Sequence, residues 1–210
     1  MDAPCEIQGS IHVFRLVNNM CPGKWVHIIH PIALIFGLLS FVSYLVEGAV
    51  GDWSALYLFE DKGIVIEEAV MGVMLFNGTM CIGRLLGNRL GKHLTSKQVV
   101  VGGYLLGSIA MGLIVFLPGH ASMYTYLLLG ISLAMIVPNL FSAMGEQNVI
   151  PMTQAVATST MLGYMGILMG PALIGFIAHG TSLTVAFIVL TTLLVVSAGI
   201  GKYAYYLMSK

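Results

Sequence analysis

Charge is what this 210-residue sequence has least of: nine lysines and arginines against nine aspartates and glutamates, 9% of the chain, summing to zero. Water-soluble domains carry about 25% charged residues, so that class is excluded, and a neutral balance gives no basic footprint for nucleic acid. Cysteine is scarce as well. The three are scattered and Cys81 falls inside an apolar run, which excludes a disulfide framework. Asp2 and Glu6 stand where a secretory leader needs basic residues, so no such leader is expected. Short alternating segments are missing too, which argues against an outer-membrane barrel. What remains is 58% hydrophobic, with 25 glycines and 14 methionines. That is the composition of an all-α, polytopic membrane protein.

A span needs about 20 mostly apolar residues. Six such runs are present, over 28–58, 68–91, 98–117, 122–145, 155–178 and 182–207. Short breaks separate them at 60–63, 95–98, 118–120, 145–148 and 179–182. The first run exceeds what a bilayer requires, so it tilts, breaks near Gly48 or Gly51, or projects beyond the membrane. With both termini cytoplasmic, Arg15, Lys24, Arg84, Arg89, Lys92, Lys97, Lys202 and Lys210 lie on or near the inner side and only Lys62 lies outside. Trp53 and Tyr57 outside, with Trp25, Tyr203, Tyr205 and Tyr206 inside, fit interfacial belts. Residues 1–24 form either a leader ended by Pro22-Gly23 or a short interfacial helix, since Ile7, Ile11, Phe14 and Val17 have helical spacing. Residues 25–210 form the membrane domain.

Ionisable residues are distributed unevenly. The third run and the sixth up to Gly201 contain none and can face lipid, whereas the first holds Glu47 and Asp52 and the second holds Arg84. Polar groups within spans face a bundle interior or a wet cavity. Gly37, Ser40, Tyr44, Glu47, Gly51 and Ser54 recur at helical spacing and form one stripe. Asp52 lies about 140° away from Glu47 unless the helix breaks between them. Gly83, Gly87 and Gly91 are spaced for close helix approach, beside a polar line of Asn77, Cys81, Arg84 and Asn88. Pro138-Asn139 predicts a kink in the fourth span. Gly163, Gly166, Gly170 and Gly175 gather around Pro171 in the fifth as packing residues. Four irregular spans and two plain ones suggest two three-helix repeats, each ending in an outer helix.

Three stretches together resemble a known family. VEGAVGDWSALYL (46–58) is similar to the acidic seventh helix of the bacterial YbjJ-like inner-membrane branch of the major facilitator superfamily (MFS). GRLLGNRLGKH (83–93) resembles the second copy of that superfamily's cytoplasmic loop motif, carried here by Gly83, Arg84, Gly87, Asn88, Arg89, Gly91 and Lys92. Asn88 and His93 depart from its usual Asp and basic residue. LGYMGILMGPALIGFIA (162–178) resembles its eleventh helix. The resemblance implies the C-terminal six-helix half of a multi-pass transporter in a bacterial inner membrane. Such a transporter moves a small solute (sugar, metabolite or drug-like molecule) by alternating access. Twelve spans are usual there, so it also implies a missing six-helix N-terminal half, a split partner chain or a second copy of this one.

Glu47 is the candidate proton-coupling or solute-binding group, because burial raises a carboxylate pKa and a nearby cation lowers it. The alternative is a neutral carboxyl hydrogen-bonded to Ser43 or Tyr44. Tyr44, Asp52, Asn77 and Asn139 are further cavity candidates, the asparagines otherwise joining helices. Asp52 beside Trp53 is a gate or a wetted interfacial acid. Arg84 is expected to snorkel to the inner surface, and the methionines to fill core. His27 and His30 lack a third ligand, so no metal or other cofactor is expected. Two rival functions remain: a non-transporting scaffold, and a rhomboid-like serine protease using Ser132 and His179. In the latter, Leu133 replaces the required glycine and the two side chains belong at different depths.

Overall fold

The computed structural model describes residues 31–90, 94–146 and 151–208, and these are helical with short connections. In chain order the helices are α1 (Pro31–Glu60), α2 (Ile66–Leu90), α3 (Ser96–Phe116), α4 (Gly119–Ala134), α5 (Ile136–Glu146), α6 (Met152–Gly180) and α7 (Leu183–Met208). Among the described residues six helical stretches are long and apolar enough to cross a membrane, α4 and α5 forming one of them. The segment 1–24, with Trp25, His27 and His30, lies outside the described residues.

Local sequence accounts for the boundaries. Gly63 has φ of 68°, and the Ile64 amide donates to the Leu58 carbonyl at 3.1 Å, folding the chain back over the last turn where α1 ends. Thr95 and Gln98 satisfy each other's backbone as a capping box at the start of α3. The fourth span breaks at Met135, three residues before Pro138, whose ring cannot donate to the preceding turn. Beyond the break the Met135 carbonyl accepts from Asn139 twice, from its backbone amide at 3.3 Å and its side-chain amide at 2.8 Å. α1 itself is one unbroken helix of 30 residues. Gly48 and Gly51 do not interrupt it, and Glu47 and Asp52 stay on different sides.

Helix pairing follows a repeat. α1 packs along α6, α2 along α4, and α3 along α7. Exchanging the first three spans with the last three turns the first of these pairs into the second and the third into itself. α1 and α6 run parallel, since Gly37 meets Leu162, Tyr44 meets Gly163 and Trp53 meets Gly175 in rising order. α3 and α7 run antiparallel, with Gly107 near Leu194 and Gly201 near Val100. Three spans are an odd number, so the second triplet enters from the opposite face, as in inverted repeats.

Glycine sets the spacing in both parallel pairs. A Cβ on Gly166 would strike the Phe41 carbonyl, and one on Gly170 would lie 2.5 Å from the Leu45 carbonyl oxygen. A Cβ on Gly48 would come within 2.9 Å of the Ile167 carbonyl oxygen, whose own helical donor is missing because residue 171 is proline. In the other pair, Gly83 faces Ala134, Gly87 faces the Met135 thioether and Gly130 faces the α2 backbone at Phe76. The break at Met135 therefore lies in the space that Gly87 leaves open.

Several placements differ from expectation. Tyr57 is fully buried and stacks on Phe187 at 4.3 Å, so it belongs to the core and not to an interfacial belt. Met161, Met165 and Met169 on α6, with Met71 and Met74 on α2, are exposed and fill no core here. The second and fifth spans are the least covered, while the plain third and sixth pack on each other. A charge-free helix can face lipid, but its small residues let it serve equally well as a packing partner.

Lys62 secures the end that holds the 60–65 loop. Its Nζ donates to the carbonyls of Val115 at 2.6 Å and Leu117 at 2.9 Å, covering orphan acceptors at the end of α3. Burial lowers the Lys62 pKa below the ordinary lysine value, and the nearby Asp61 carboxylate acts in the opposite direction. Lys62→Met should destabilise the purified protein by about 1 kcal/mol, the worth of a charge-assisted hydrogen bond discounted for partial exposure. Thermal unfolding in detergent would read this as a lower midpoint, and an unchanged midpoint would remove the cap from the account.

Candidate functional site

The stripe read on the first span divides on folding. Ser40 pairs with Ser159 at 3.1 Å and is buried, Ser54 donates to the Val50 carbonyl, and Tyr44 turns toward α6. Glu47 instead meets Arg84. One guanidinium nitrogen, Nη2, donates to both carboxylate oxygens, at 3.0 and 3.2 Å. Arg84 therefore reaches across to the first span and does not snorkel along its own helix. Glu47 lies about 20 Å of helix rise from Glu60, near the midpoint of α1.

The alternative partners for Glu47 are otherwise engaged. The Ser43 hydroxyl lies 2.8 Å from the Tyr104 hydroxyl, which donates to the Leu39 carbonyl at 2.7 Å. Tyr44 stacks against Tyr164, with ring centroids 6.2 Å apart. Side-chain exposure is 44% for Arg84 and 21% for Glu47, so the pair lies on an open face of the bundle. On that side of α2 Asn77 and Cys81 are also exposed, and Asn77 lies two turns from Arg84.

Other candidates do not join this group. Asp52 is exposed elsewhere on α1. The amide nitrogens of Asn77 and Asn139 donate to Val73 and Met135 of their own spans, so neither joins helices through that donor. The side chains of Asn88 and Arg89, together with Gly91 and Lys92, lie outside the described residues. Trp53 is no simple anchor. Its indole N–H donates to the Pro171 carbonyl at 3.0 Å, and its ring lies over Gly175. It also walls a cleft of about 420 Å³ with Leu56, Glu60, Asp61 and His179 near the ends of α1 and α6.

A serine–histidine pair is not assembled. Ser132 is 4% exposed and donates to the Leu129 carbonyl, whereas His179 lines that cleft. Ser132 lies about 20 Å along α4 from Gly119, so the two are far apart in depth. Among the described residues no cluster of metal-ligating side chains comes together.

Sequence reasoning missed two participants, the Arg84 contact and Tyr164. The first carried a signal. Counting from the 60–65 loop, Glu47 and Arg84 differ in depth by about five residues, roughly 7.5 Å, which an arginine side chain can bridge.

Comparison with curated proteins finds relatives across most of the chain. It is 41% identical over 169 residues to an uncharacterized MFS-type transporter of Yersinia pestis, covering 79% of this chain and 42% of the relative. It is 31% identical over 151 residues to membrane protein MosC of Rhizobium meliloti, covering 71% of this chain and 37% of that protein. A third relative is an uncharacterized transporter of Sinorhizobium fredii, 28% identical over 159 residues, covering 74% of this chain and 41% of its own. No family model matches the chain. The matched region spans about two fifths of each relative's length.

Proposed function

We propose that this homologue of MFS-type transporters supplies one six-helix half of a secondary transporter that moves a small solute by alternating access, with Glu47 as the proton-coupling group. The observation that carries the reading is the Glu47–Arg84 pair on an open face near the middle of the first span. An ion pair there cannot be left against hydrocarbon without a cost of several kcal/mol. The face therefore lines water, protein or both, which is the position of a solute pathway.

The pair gives that pathway a switch. With Glu47 ionised, Arg84 is held across the two spans and the charges cancel. A proton on Glu47 removes the attraction and frees the guanidinium, and a change of exposure between the two sides of the membrane then releases the proton. Closely packed parallel pairs at α1–α6 and α2–α4 let the helices tilt as units. The second half of the pathway is a preceding six-helix segment, a separate chain or a second copy, seated over the second and fifth spans. The site is the bacterial inner membrane, with termini cytoplasmic by the lysine and arginine distribution.

Native mass spectrometry of the protein extracted in mild detergent from its own host tests this. The expected result is an assembly holding a second six-span body that carries solute and protons together in liposomes. A lone 22.5 kDa chain that moves neither would overturn the proposal.

A further inference from the structure

The aromatic wall beside the ion pair exists because of a missing side chain. A Cβ on Gly163 would sit 2.6 Å from Tyr44 Cδ2, so glycine at 163 is what lets the Tyr44 ring lie against α6. There it runs parallel to Tyr164, within 11°. Tyr164 is 62% exposed and offers an open ring face. Tyr44 is one helical turn from Glu47 on the same side of α1, so phenol rings and ion pair border one surface.

We propose that the solute recognised at this surface is a neutral, polyhydroxylated molecule of the sugar or alditol class, with its C–H face on Tyr164 and its hydroxyls on the ion pair. The inference rests on the transport reading above. Charge chemistry selects the class. Arg84 bonds Glu47 through Nη2, and its Nη1 and Nε groups carry no further hydrogen bond among the described residues. The carboxylate oxygens also retain accepting capacity. Hydroxyls both donate and accept, so a polyol can satisfy guanidinium and carboxylate together while their contact stays intact. With Glu47 ionised the pair is already neutral, so a bound anion or cation adds a third charge to it. Either leaves one charge without its partner inside the membrane. A flat hydrocarbon would use the ring wall but desolvate the charged groups without replacing their hydrogen bonds.

The test uses the full chain, in the assembly isolated from its host, held in nanodiscs. The probes are D-glucose, D-galactose, D-glucitol and D-mannitol, with gluconate and glucosamine as charged counterparts, and binding is read by calorimetric titration. The expected result is saturable binding of at least one neutral probe, with the charged counterparts at least about tenfold weaker. Tyr164→Ala should raise the Kd for that probe by about tenfold, as should Tyr164→Leu, which keeps apolar bulk. Tyr164→Phe should stay within about twofold; tenfold corresponds to about 1.4 kcal/mol. No binding by any neutral probe, tighter binding of a charged counterpart, or an unchanged Kd in Tyr164→Ala and Tyr164→Leu would overturn the inference. Binding of a neutral probe without uptake into liposomes would overturn the transport reading and leave this one standing. Uptake of gluconate or glucosamine without neutral binding would do the reverse.

Discussion

Glu47→Gln should abolish the pH dependence of solute uptake and reduce proton-driven accumulation to passive equilibration, with membrane insertion intact. Glutamine has nearly the same volume and keeps a carbonyl oxygen for Arg84 Nη2, now held at 3.0 Å from a carboxylate oxygen. It cannot take up or release a proton. If coupling runs through this carboxyl, the variant behaves as though always loaded, and its rate no longer follows proton concentration on either side. Uptake in liposomes across a series of imposed pH gradients reads this directly, and unchanged pH dependence would sink the proposal. Arg84→Gln is the informative companion. It leaves an acid near the middle of the first span without its counter-charge, so folded yield should fall further than in Glu47→Gln. The double variant should recover part of that loss, with a coupling of about 0.5–3 kcal/mol as expected for residues in contact.

Gly166→Leu and Gly170→Leu should remove most of the folded protein, whereas Gly102→Leu and Gly199→Leu should leave yield near normal. A Cβ at 102 or 199 meets nothing within 4 Å, while one at 166 or 170 meets the α1 backbone. Overpacked cores cost about 1–3 kcal/mol when neighbouring side chains can shift. A carbonyl in a continuous helix cannot turn aside, so α1 and α6 would have to separate and the loss should exceed that range. Gly83→Leu and Gly87→Leu should fall between these extremes and well below Val101→Leu in yield. Gly87 should be the milder of the two, because it faces the flexible Met135 side chain and Gly83 faces the short Ala134. Gel-filtration profiles of detergent extracts rank all seven variants. Equal yields at 166 and 102 would show that close approach does not hold the first and fifth spans together.

Much of this architecture is determined by sequence alone, because the bilayer imposes a simple rule. Each span must satisfy its own backbone, so apolar length locates the helices, and all six lie within a few residues of the runs read from composition. Glycine and proline spacing likewise locates the close-packed faces at 83–87 and 163–175, since a missing side chain acts within its own helix turn. Tertiary structure alone decided which face met which neighbour. Periodicity gives the angle at which Arg84 leaves α2, but only packing of α1 against α2 brought Glu47 within 3.0 Å of it. Asp52, also a carboxylate and five residues away, was left outside. The same holds for Tyr57, buried against Phe187, and for the methionines of α6, left exposed. Their side chains fit core, interface and lipid alike, so the choice belongs to the arrangement of all six spans and not to any one of them.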